Sequence, residues 1–179
     1  MPEGALRFQE YFQTYIPKLV EKYLAEEPVP DMEGTSFTTQ VKVEGEQSLI
    51  FGVTIDGARE ISVQPDGLEN PMVSVTVPED FIRFTTRQVS ALTGRKQYDA
   101  ILNTKGTLNL EMEMPGGVVL PVTIVFNGAP EPQATMSGPA DVLAQVMTGQ
   151  IQGPQAFMEG KIKIAGDMMF LMSLASLII

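Results

Sequence analysis

A chain of 179 residues, 44% of them apolar, is long enough to bury the core of one domain. With no His, Cys or Trp it lacks the usual general base, thiol nucleophile and zinc or haem ligands, so neither a Ser-His-Asp site nor a metal or cofactor is expected. A net charge of −10 argues against nucleic acid and against adhesion to anionic membranes.

In chain order, residues 5–26 place Phe8, Phe12, Tyr15, Ile16, Leu19, Val20 and Tyr23 on a helical stripe. Pro17 interrupts it, which predicts a kink or two helices with Pro17 opening the second. The first residues lack the basic start and apolar run of a secretory signal, and no stretch of about 18 apolar residues follows anywhere. A cytoplasmic protein without stable membrane insertion is therefore expected. Residues 1–31 read as an N-terminal helical segment that packs on the domain and ends in the proline linker before Asp31.

Strands follow. Residues 36–44 put Phe37, Thr39, Val41 and Val43 on one face, and 47–55 do the same with Leu49, Phe51, Val53 and Ile55. Gly45 turns the first into the second, and Asp56-Gly57 leads into a strand at 59–63. A short strand is expected at 72–77. Pro78-Glu79-Asp80 then reads as a helix start, with Phe81, Ile82, Thr85, Val89 and Leu92 on its buried side and Gly94 at its end. Residues 96–103 form a further short helix, and 106–114 and 118–126 form two strands closed by Pro115-Gly116-Gly117. Much of the series at 37–110 recurs at 107–164, which suggests one extended sheet built from two related halves. In that echo Gly106–Leu110 corresponds to Gly160–Ile164.

The last forty residues are the most informative. A helix at 139–148 carries Val142, Leu143, Val146 and Met147 on one face. A tight helical turn at 153–158 brings Phe157 and Met158. A strand at 161–165 alternates Ile162 and Ile164 inward with Lys161 and Lys163 outward. Asp167 caps a final helix in which Ser173 and Ser176 lie on one side, with Met168, Met169, Leu171, Met172 and Ala175 on the other. About twelve residues rise roughly 18 Å, too short to cross a bilayer and too apolar for water. Eight of the eleven methionines lie at or after Met112, and flexible thioethers suit surfaces that repack around varied apolar shapes.

Asp141 to Gly149, Pro154 to Phe157, Gly160 to Gly166 and Met168 to Leu177 together resemble the C-terminal half of the sterol carrier protein type 2 family. The match is dense over 132–179 and loose over 36–131, where 78–105 adds a helix-rich segment that the simpler family domains lack or place differently. The resemblance implies an α+β domain over 32–179: a mostly antiparallel twisted sheet covered by helices, holding a lipid in an apolar tunnel. The expected ligand is a fatty acid, fatty acyl thioester, phospholipid or sterol-like molecule.

The residues expected to line the tunnel are Val142, Val146, Met147, Phe157, Met158, Ile162, Met168, Met169, Leu171 and Met172. Arg83 and Arg87, in a basic stretch with Arg95, Lys96 and Lys105, are candidates for a headgroup, although Glu79, Asp80 and Asp99 equally make that stretch a balanced solvated face. A second reading is a non-catalytic assembly domain, homodimeric or not, whose Met-rich groove binds a polypeptide. Enzymatic activity is not expected. A carboxylate- or Lys-based reaction would need a buried acid, and Asp80, Asp141 and Asp167 all sit at helix starts where capping explains them.

Overall fold

Apolar residues at every second position of eight strands give one sheet a continuous greasy face. The computed structural model describes residues 10–26, 29–45, 48–79 and 94–177. The strands are β1 (Ser36–Glu44), β2 (Leu49–Asp56), β3 (Glu60–Gln64), β4 (Val73–Pro78), β5 (Gly106–Glu113), β6 (Val119–Phe126), β7 (Gln133–Pro139) and β8 (Lys163–Gly166). Their order across the sheet is β3-β2-β1-β4-β6-β5-β7-β8. All neighbours are antiparallel except β1 with β4 and β5 with β7. The fold is the expected α+β sheet, mostly antiparallel and covered by helices, with a helix added at the N-terminus.

The register carries one face through every strand. Phe37 pairs with Ile55, Val73 with Phe126, Leu108 with Ala134, and Met136 with Ile164. The core therefore runs on odd-numbered residues through β4 and on even-numbered ones from β5 onward. Phe51, Val43 and Leu108 are at its centre, and Leu143 reaches it from a helix. The opposite face is polar, with Thr123 donating through its hydroxyl to Asn109 at 3.0 Å.

Among the described residues, the α-helices that accompany the sheet are α1 (Ile16–Glu26), α2 (Arg95–Asn103), α3 (Ala140–Met147), α4 (Gly153–Met158) and α5 (Met168–Leu174). A wide π-helical turn, Tyr11–Tyr15, precedes α1, so the break expected at Pro17 falls at Ile16, just before the proline. Leu24 packs with Met32 and Ala58 in a small cluster that meets the main core at Ile55 and Tyr98. At the far end of α2, the Asn127 amide donates to the carbonyls of Ile101 (2.8 Å) and Thr104 (2.7 Å), tying the helix to the loop after β6.

The internal echo needs correction, and the reading at Pro78 shifts by one residue. Pro78 ends β4, opposite Glu44 of β1, and the expected helix begins directly after it, at Glu79, so the proline stands one position before the helix and not at its first residue. The helix expected after it falls mostly on 80–93, outside the described residues. The strand β7 was implied only by the internal echo. That echo also misassigns β5. The trios β2-β1-β4 and β6-β5-β7 share their order and pairing senses, but β6 sits beside β4 where the echo would put β5.

Candidate functional site

The site lies at the β6-β5-β7-β8 end, where the C-terminal helices cover the greasy face without filling the space above it. Both loops that shape it end helices in the same way. Gly149, at φ +71°, follows α3, and the Gln150 amide donates to the Gln145 carbonyl at 2.9 Å. Gly160, at φ +68°, follows α4, and Lys161 donates to Ala156 at 2.9 Å. These are left-handed glycine stops with the six-to-one bond of a Schellman motif. They turn the chain back over the sheet twice in fifteen residues. At the start of α5 the Asp167 carboxylate accepts from the Phe170 amide at 2.8 Å, the expected cap.

Helix α5 is held on one side only. Phe170 and Leu174, four residues apart, are buried, and the Phe170 ring meets Phe126 edge-on with centroids 6.5 Å apart. The ring also sits over Gly106, where a β-carbon would come within 2.7 Å of it. The opposite stripe, Met168, Leu171, Met172 and Ala175 at i, i+3, i+4 and i+7, borders an empty cavity of about 390 Å³. Its floor is Phe126, Leu108, Met136 and Ile164, one residue from each of four adjacent strands. Val146 and Met147 of α3 and Pro154, Phe157 and Met158 of α4 form the facing wall.

Among the described residues Gln152 is the only lining side chain with a polar group. The volume lies within the about 300–1,000 Å³ of small-molecule sites. The rim is open: Met158 is 83% exposed, Met172 57%, Met168 45% and Phe157 44%. In this structure the hollow is a cleft with an exposed apolar lip.

Charge near the mouth is paired. One residue beyond Met158, the Glu159 carboxylate takes an ion-paired hydrogen bond from Lys161 at 2.6 Å and a second from the Gln155 amide at 2.8 Å. The Lys161 bond, then the Gln155 bond, hold Glu159 below the usual carboxylate range.

Of the residues expected to line a tunnel, Val146, Met147, Phe157, Met158, Met168, Leu171 and Met172 border the cleft. Three lie elsewhere. Val142 packs against the core one turn, about 6 Å, further back along α3. Ile162 precedes β8 instead of alternating within it and is buried near Gly138, whose missing side chain leaves room. Met169 points to water from α5 and is 80% exposed. Arg83 and Arg87 fall outside the described residues. Sequence reasoning missed the floor residues and Leu174. The only signal for the floor was strand alternation, which marks a buried face without telling core from cavity. Ser173, read as a polar break, turns its hydroxyl back to the Phe170 carbonyl at 2.6 Å.

Among curated protein sequences no relative matches this chain. Among solved structures, an inverting sec-alkylsulfatase from a Pseudomonas species is 12% identical; the match covers 82% of this chain but only 13% of the sulfatase, with a TM-score of 0.25. The sterol carrier protein domain 2 of Helicoverpa armigera is 15% identical over 94% of this chain and 87% of its own, with a TM-score of 0.24. Sterol carrier protein 2 from Yarrowia lipolytica, in its apo form, is 9% identical over 94% and 80%, also at 0.24. The model of the SCP-2 sterol transfer family matches residues 88–178, just over half of the sequence and the whole of the cleft. The chain belongs to the SCP-2 sterol transfer family.

Proposed function

We propose that this protein binds a lipid, or another long apolar molecule, in the cleft under α5 and carries it between sites. The observation that supports this most directly is an apolar hollow of about 390 Å³ whose lining, among the described residues, carries one polar side chain, the Gln152 amide. Each methylene moved from water into such a site gains about 0.8 kcal/mol. Ten of them give about 8 kcal/mol, enough to offset a cost of immobilising the ligand of about that size, and each further methylene adds net affinity without any charged contact. The ligand is a fatty acid, fatty acyl thioester, phospholipid or sterol-like molecule. Its chain lies on Leu108, Phe126 and Met136, and its polar end is near Gln152 or, from the segment outside the described residues, Arg83 and Arg87. Closure of the cleft into a tunnel around the bound chain, a non-catalytic role and a cytoplasmic setting complete the reading, with residues 1–31 as an appended helical segment on a lipid-binding unit at 32–179.

Native mass spectrometry of the purified protein, followed by solvent extraction, tests this. A co-purifying lipid, or saturable uptake of a fluorescent fatty acid, is expected; neither appearing would refute it. The exposed lip at Met158, Met168 and Met172 favours one other reading, an assembly domain or homodimer that docks a polypeptide in the same groove. A dimer by light scattering that dissociates on Met172→Glu, without lipid uptake, would select it.

A further inference from the structure

We propose that the methionines around the cleft are a reversible oxidation site through which peroxides control ligand binding. The protein has no cysteine, so thioethers are its only oxidisable sulfur. Among the described residues the fold sorts most of them into two sets, with Met112 and Met114 half-buried outside the cleft lining. Met32, Met72 and Met136 are at most 8% exposed. Met147, Met158, Met168 and Met172 border the cleft and are 36–83% exposed. Met169 is 80% exposed but outside the cleft lining, which makes it an internal control.

The chemistry is balanced. The thioether lone pair attacks a peroxide oxygen, the O–O bond breaks and an S–O bond forms. Sulfur loses two electrons, and the peroxide is reduced to water or an alcohol. A sulfoxide reductase reverses the step with two electrons from thiols, releasing water. Oxidation places a strong, permanent dipole on a lining that otherwise carries one amide. A bound alkyl chain would strip water from that dipole and offer it no hydrogen bond. Oxidation would therefore expel the ligand while leaving the buried anchors Phe170 and Leu174 untouched.

This proposal rests on the lipid-binding reading, and the experiment separates the two. Limiting hydrogen peroxide is added to the protein with and without a fluorescent fatty acid, and the sulfoxides are mapped by peptide mass spectrometry. The expected result is oxidation of Met147, Met158, Met168, Met169 and Met172 ahead of Met32, Met72 and Met136. Bound fatty acid should slow Met147, Met168 and Met172 but not Met169. The oxidised protein should bind the fatty acid about tenfold more weakly, a change of about 1.4 kcal/mol, and a sulfoxide reductase should restore it.

A protein carrying leucine at positions 147, 158, 168 and 172 should show no further loss after peroxide, whatever its starting affinity, whereas Met169→Leu should still lose binding. Cleft sulfoxides that change affinity by less than about twofold, well under 1 kcal/mol, would overturn the proposal. So would an equal loss in the four-leucine variant. Should the unmodified protein take up no fatty acid, the lipid reading fails on its own. Fluorescence of an apolar surface dye then decides: a fall on oxidation of the wild type alone supports the switch, and no change overturns it.

Discussion

Replacing Phe170 by alanine removes the larger of the two side chains that hold α5 against the sheet. The ring is 5% exposed, touches Phe126 edge-on at 6.5 Å between centroids, and fills the space that Gly106 leaves open. Truncating such a side chain costs about 3–5 kcal/mol in lost transfer energy and residual cavity, against about 5–15 kcal/mol for a whole domain. For a chain of this length, at about 2–4 °C per kcal/mol, that lowers the melting temperature by about 6–20 °C. Urea unfolding followed by circular dichroism measures the loss. A double-mutant cycle with Phe126→Leu isolates the ring pair at about 0.5–1.5 kcal/mol. Because α5 forms one wall of the cleft, uptake of a fluorescent fatty acid should fall as well, even at temperatures where the variant is folded. A stability change below about 1 kcal/mol would refute the reasoning, since a surface aromatic has that effect and a buried anchor does not.

Met172→Glu places a charge on the cleft face of α5 and should abolish fatty-acid uptake with little change in the unfolding midpoint, while Met169→Glu, three residues earlier on the solvent side, should leave uptake intact. Asp167→Ala removes the cap of α5 and should cost about 0.5–2 kcal/mol, read as a lower melting temperature; Asp167→Asn should recover most of it. Gly106→Ala forces a β-carbon against the Phe170 ring at a backbone angle of φ +137°, so it should destabilise the protein and weaken uptake together. By carboxyl NMR, Glu159 should titrate below an ordinary glutamate, and Lys161→Ala should move it back up. Because its folded value is depressed, the Glu159 contribution to stability is complete above the unfolded value and is lost as the pH falls through the folded one.

Much of this was readable in the chain because its strands alternate cleanly. Phe37 to Val43 and Leu49 to Ile55 declare one face each, and Gly116-Gly117, both at positive φ, declare the hairpin between β5 and β6. Local signals of this kind lie within a few residues of what they specify. The parallel pairings did not announce themselves, because β1–β4 joins residues more than thirty apart and no turn encodes it. β7, Gln-Ala-Thr-Met-Ser-Gly-Pro, is poor in branched and aromatic residues and owes its extended form to neighbours on both sides. In α5 nearly every residue is apolar, so the periodicity that separates an anchored stripe from a lining stripe is missing. The aromatic ring at Phe170 was the available clue, and only its partner Gly106, sixty-four residues earlier, gives it meaning.

The four rungs between β4 and β6, from Val73 opposite Phe126 to Thr76 opposite Thr123, join two parts of the sheet whose inward residues differ in numerical parity. A slip of one position along that seam would invert one part relative to the other, sending Phe126 and Leu108 to the solvent side and Thr107 and Asn109 inward. Strands that contribute no residue to the cleft lining therefore set the alignment of its floor. A lesion in β1 or β4 that loosens the seam would degrade binding from a distance, without altering any residue of the cleft.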